Sequence, residues 1–107
     1  MNSRQECEQL LNQLEVVLKQ QGCWQSQPPS PQALQSVEPF AIDTLTPTEW
    51  LQWILIPRMQ ALLRSGAPLP STFCISPYFE QSLLNLPYQQ AILEITLQLD
   101  DRLGAAS

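Results

Sequence analysis

Proline placement is the feature that most constrains what this chain can fold into. Ser30-Pro31, Thr46-Pro47 and Ser76-Pro77 each carry the cap and first-turn pattern of a helix start. Proline at the first helical position gives up an N–H that has no intrahelical partner. Thr46-Pro47-Thr48-Glu49 also places a glutamate where it can reach back to the cap. The three glycines, Gly22, Gly66 and Gly104, read as helix stops. The pattern predicts helices over 3–21, from Thr46 to about Arg64, from Ser76 onward and over 88–103, plus a helical turn at 32–36. The Pro-rich stretch after Gly22 reads as a strap across the bundle, because Trp24 and Phe40 flank it and both favour burial. Pro68 and Pro70 mark 67–75 as a loop.

Apolar periodicity agrees with these boundaries. Leu10, Leu14, Val17 and Leu18 recur at the helical period, with Cys7 and Leu11 beside them. Ser3 and Glu6 have capping-box spacing. The last segment can be read two ways. Residues 93–100 alternate as a half-buried strand does, yet Tyr88, Ala91, Ile92, Ile95, Leu99 and Leu103 form one helical stripe. A lone strand cannot satisfy its backbone, so helix is the consistent choice. The expectation is an all-α, single-domain bundle of about four main helices over 1–107, with a Pro-rich strap.

Pro57 falls inside the third helix, where its missing N–H predicts a kink. On a helical wheel Arg58 falls among Leu51, Ile54, Leu55 and Leu62, while Trp53 and Ile56 fall among polar residues. A guanidinium in apolar surroundings needs a carboxylate. Asp43 is the preferred partner, with Glu38 and Glu94 as rivals. The pair Asp43 and Arg58 is therefore a candidate anion or ion-pair site, unless the kink turns Arg58 to water. Trp53 and Ile56 belong either to a helix covered on all sides or to a docking patch. Leu93 and Leu97, opposite the main stripe of the last helix, are candidates for the same patch.

Composition excludes much. The chain has no histidine, which removes the usual Ser–His–Asp and Cys–His catalysis and His-containing zinc sites. Net charge is −5, with only five scattered cations, so direct nucleic-acid binding and an anionic membrane surface are disfavoured. No apolar run approaches the ~20 residues of a membrane span. The polar N-terminus and three unmatched cysteines, Cys7, Cys23 and Cys74, suit a cytoplasmic protein. Cys7 reads as a buried apolar residue, and Cys74 has no cation near it in sequence. Asp100-Asp101 reads as a solvated helix end. No metal or cofactor site is expected.

The strip from Glu38 through Phe40, Asp43, Thr44 and Leu45 to Trp50-Leu51-Gln52-Trp53 and Pro57-Arg58 resembles the YqcC-like family, also called DUF446. The resemblance spans the chain and implies a small bacterial helical bundle without an established activity. The genes of this family often neighbour one for a tRNA pseudouridine synthase, which implies a link to RNA modification through a partner.

The sequence therefore suggests a non-catalytic protein-interaction or accessory module, with a protein partner or self-association. Its surface would draw on Trp53, Ile56, Leu93 and Leu97. The alternative is a binder or enzyme for a small anionic ligand, with a pocket around Arg58.

Overall fold

The computed structural model describes residues 3–67 and 74–104. Pro68 and Pro70 lie outside them. Helix α1 (Ser3–Gln20) is followed by the strap, which contains a short helix α2 (Pro31–Leu34) and a 3-10 turn (Pro39–Ala41). Helix α3 (Pro47–Trp50) runs through a π turn (Leu51–Leu55) into α4 (Ile56–Ser65). Helices α5 (Ser76–Ser82) and α6 (Gln89–Gly104) complete the bundle. Among the described residues there is no strand, so the ambiguous last segment is a helix.

Most predicted end signals act as expected. Gly22 (φ 74°) closes α1, with Gly22 N–H donating to the Lys19 carbonyl and Cys23 N–H to the Leu18 carbonyl. These two bonds form a Schellman closure, which only an αL residue permits without strain. Ser30 caps α2 by accepting from Ala33 N–H at 3.1 Å. Thr46 and Glu49 form the reciprocal box, at 2.8 Å from Thr46 N–H to Glu49 Oε1 and 3.4 Å from Glu49 N–H to Thr46 Oγ1.

Helix α6 packs against both α1 and α5, and α1 also packs on α4. Helices α1 and α6 run antiparallel, since Glu6 near the start of one meets Arg102 near the end of the other at 2.6 Å. The core interleaves Cys7, Leu10, Leu11, Leu14 and Leu18 of α1 with Leu51, Leu55, Ile56 and Met59 of the central helix. Ile75, Phe79, Leu83, Ile92, Ile95 and Leu99 close it from the other side. Cys7 is fully buried, as its place on the apolar stripe implied.

The break at Pro57 takes the form of the π turn. Ile56 N–H donates to the Leu51 carbonyl five residues back. Pro57 then falls in the first turn of α4, where no intrahelical donor is required. Inserting one residue into a turn sets everything downstream back by about 100°. Two wheel-based expectations fail for this reason. Ile56 rotates into the core and is 3% exposed, so it is unavailable for docking. Arg58 rotates out of the apolar arc and is exposed.

Two polar side chains close helix ends from a distance. Asp100 accepts from the backbone N–H groups of Ile75 and Ser76, both at 2.9 Å, and so caps α5 from α6. It is not a solvated end. Ser76, expected as the cap, is instead buried and donates its hydroxyl to Thr96 at 2.9 Å. Arg4 donates to the carbonyls of Leu62, Leu63 and Ala67 at 2.8, 3.1 and 2.8 Å, and thereby closes the end of α4. Replacing Asp100 with Ala should lower unfolding free energy by about 0.5–2 kcal/mol, the usual range for a lost cap. Urea denaturation followed by circular dichroism measures this, with native helix content unchanged.

Candidate functional site: the strap and its groove

The strap over 22–46 has few apolar residues to bury, so polar groups hold it. Gln25 is the anchor. Its backbone N–H donates to Gln52 Oε1 at 2.8 Å, and its carbonyl accepts from Gln52 Nε2 at 2.7 Å. Its side-chain oxygen accepts from Trp53 Nε1 at 2.8 Å, and its side-chain nitrogen donates to Glu49 Oε2 at 3.0 Å. All four polar atoms of Gln25 are thus satisfied by one helical segment. Gln52 is buried, so this pairing also removes the cost of desolvating its amide.

Glu49 joins the anchor to the helix cap. The Thr46 N–H beside its carboxylate, together with Gln25 and the Thr46 hydroxyl, holds the Glu49 carboxyl below the usual glutamate range against partial desolvation.

The far end of the strap rests on aromatic packing. Phe40 stacks on Tyr78 with centroids 4.2 Å apart and an interplanar angle of 9°. It meets Trp50 edge-on at 4.9 Å. The backbone there is strained, since Phe40 and Ala41 lie at φ 57° and 48°, the left-handed region that side chains disfavour. Such residues cost about 1–2 kcal/mol each. Aromatic pairs return roughly 0.5–1.5 kcal/mol each beyond area burial. The Ala41 carbonyl also accepts from Thr44 and Leu45 N–H, at 3.0 and 2.8 Å. Thr44 Oγ1 donates to the Ala33 carbonyl at 2.8 Å, and Ser36 Oγ donates to Asp43.

Between the strap and the central helix lies a groove of about 280 Å³, lined by Leu34, Val37, Phe40, Trp50, Ile54 and Arg58 among others. Val37 stands at its edge with its side chain 95% exposed. Arg58 is exposed at the rim and forms no ion pair among the described residues. Asp43 is also exposed, and its bond is to Ser36 rather than Arg58. The expected Asp43–Arg58 pairing therefore does not form, because Arg58 no longer needs a buried counterion.

The candidate docking residues do not share one exposed face. Trp53 is half-buried and engaged with Gln25, Ile56 is in the core, and Leu93 packs against the core. Leu97 alone of the four is exposed, at 50%. Sequence reading missed Gln25 and Gln52, because two glutamines among fifteen carry no periodic signal. It also missed the strained Phe40–Ala41 pair, for which a glycine would be the usual marker.

Two of the three thiols are held in their protonated form. Burial pushes the Cys7 thiol up despite the nearby Arg4, and burial also pushes up the Cys23 thiol beside Tyr88. A protonated thiol is a poor nucleophile. Among the described residues, no group of three His, Cys, Asp or Glu side chains is placed to hold a metal ion. No helix among them is long and apolar enough to cross a membrane.

Replacing Gln52 with Leu leaves the Gln25 N–H and carbonyl unpaired. This should cost about 1–3 kcal/mol in urea unfolding, although the new side chain is more apolar. A second expectation concerns pH. A carboxylate whose folded pKa is depressed adds stability above its unfolded pKa, and that stability is lost as pH falls through the folded value. The wild type should therefore be more stable than Glu49→Gln at neutral pH, and thermal melts should converge as the solution is acidified through the carboxylate range.

Comparison with known proteins places this arrangement in a family. The model of DUF446, described as tRNA pseudouridine synthase C, matches residues 6–102. An uncharacterised protein of Haemophilus influenzae is 44% identical over 98 residues, 92% of each chain. The uncharacterised protein YqcC of Escherichia coli is 41% identical over 95 residues, covering 89% of this chain and 87% of YqcC. The solution NMR structure of YqcC superposes with a TM-score of 0.86 at 36% identity, over 100% of this chain and 92% of that one. A tRNA pseudouridine synthase C of Pectobacterium carotovorum is 42% identical over 73 residues, 68% of this chain and 19% of the longer protein. The chain belongs to the DUF446 family, whose function is unknown and whose description carries the name of that synthase.

Proposed function

We propose that this chain is a non-catalytic accessory domain that docks on a tRNA pseudouridine synthase of the C type. One observation carries the reading. In the Pectobacterium relative, the region similar to this chain makes up 19% of a longer polypeptide named tRNA pseudouridine synthase C. Tethering in one chain holds two modules at a high effective concentration. Where the module is not joined to the enzyme, the same proximity requires a contact surface of its own.

Charge supports a protein partner over direct contact with tRNA. Of five cations, Arg4 is spent on backbone carbonyls, Lys19 on Glu15 at 2.8 Å and Arg102 on Glu6 and Asp101. Phosphate contacts need clustered free cations. A net charge of −5 instead complements the basic surface an RNA-binding enzyme presents. In this reading the chemistry belongs to the partner, in keeping with a sequence that has no histidine.

The test is titration of the purified chain with the tRNA pseudouridine synthase C of the same cells, by calorimetry and by sizing with and without nuclease. The expected result is a nuclease-resistant complex of fixed stoichiometry, with association slowed by added salt. Two folded proteins that remain separate at tens of micromolar would remove the reading.

A further inference from the structure

We propose that the groove between the strap and the central helix is where the synthase docks, taking an apolar segment that carries a carboxylate against Arg58. The inference rests on the reading above and adds the face, the anchor residues and the chemistry of the bound segment.

Three independent features converge on this groove. The first is exposed apolar surface. Val37, in the lining of the groove, is 95% exposed although it sits between the Gln25 and Phe40 anchors of the strap. The second is charge. Arg58 stands at the rim without an ion-pair partner among the described residues, and Glu38 of the same groove makes no ion pair with it, so Arg58 is open to an incoming carboxylate. The third is strain. Two successive side-chain-bearing residues, Phe40 and Ala41, are held in the left-handed region where the strap turns beside Val37. Strain of this kind persists where surrounding contacts enforce it, and it concentrates at binding sites.

At about 280 Å³, the groove has room for side chains of a docked segment. The groove between α1 and α6, lined by Asn12, Val16, Glu94 and Gln98 among others, is one competing face, with no cation in its lining. A groove between α1 and α4 does carry a cation, Arg64. The backbone of both is regular helix, without the strained turn.

The experiment measures affinity of full-length variants for the synthase. Val37→Glu and Arg58→Glu alter the groove at exposed positions, so the fold should survive, as thermal melts would verify. Val16→Glu and Leu97→Glu alter α1 and α6 at positions 51% and 50% exposed. Each groove variant should bind on the order of tenfold more weakly, as expected for a truncated or repelled interface anchor, while both helix variants bind like wild type. Arg58→Gln should also flatten the salt dependence of affinity. Groove variants that bind like wild type, or helix variants that lose as much, would overturn the assignment of the face while leaving the synthase as partner. A wild type that does not bind would remove both readings.

Discussion

The turn that precedes Pro57 decides the rest of the structure. A proline within a helix lacks one donor and crowds the preceding turn. The chain meets this by closing that turn on a wider ring, with Ile56 N–H reaching Leu51. The cost is an irregular turn at the centre of the bundle. The gain is a change of phase that sends Ile56 and Met59 inward and Arg58 outward. The same turn holds Gln52 and Trp53, which both grip Gln25. One local accommodation thus sets the core register, the strap anchor and the position of Arg58 at the groove rim.

The strap shows how a segment poor in buried apolar surface is fixed. Loops normally run over the surface and stay mobile because their backbone groups are satisfied by water. Here a buried glutamine mimics a backbone partner and pairs with both backbone polar groups of Gln25. Aromatic stacking at Phe40 secures the other end. Between these two anchors the strap presents Val37 to solvent, and Ile42 follows just beyond Phe40. An ordered display of apolar side chains has a lower ordering cost on binding than a mobile one.

Much of the fold was legible in the sequence, and the reasons are local. Cap and stop chemistry at Ser30, Thr46, Gly22 and Gly66 depends on a few adjacent residues, which sequence displays directly. The apolar stripes of α1 and α6 are equally plain, and they place Leu14, Ile92 and Leu99 in the core. What failed was long-range. A wheel assumes constant phase, so the π turn misplaced Ile56 and Arg58. Asp100 looked solvated because its partners at Ile75 and Ser76 are brought near only by the packing of α5 on α6. The Gln25 anchor joins residues more than twenty positions apart, and glutamine has no pattern that announces such pairing.

Together these features describe a helical scaffold that carries an anchored, partly apolar strap. On the reading proposed above, its link to RNA modification runs through a larger enzyme rather than through tRNA. The most direct measurement is an amide and indole NMR titration of the isotopically labelled chain with the unlabelled synthase. The account predicts shifts concentrated at 34–58, including the indole N–H of Trp50, with α1 and α6 little changed. Shifts confined to the α1 and α6 face, or spectra unchanged by excess enzyme, would contradict it.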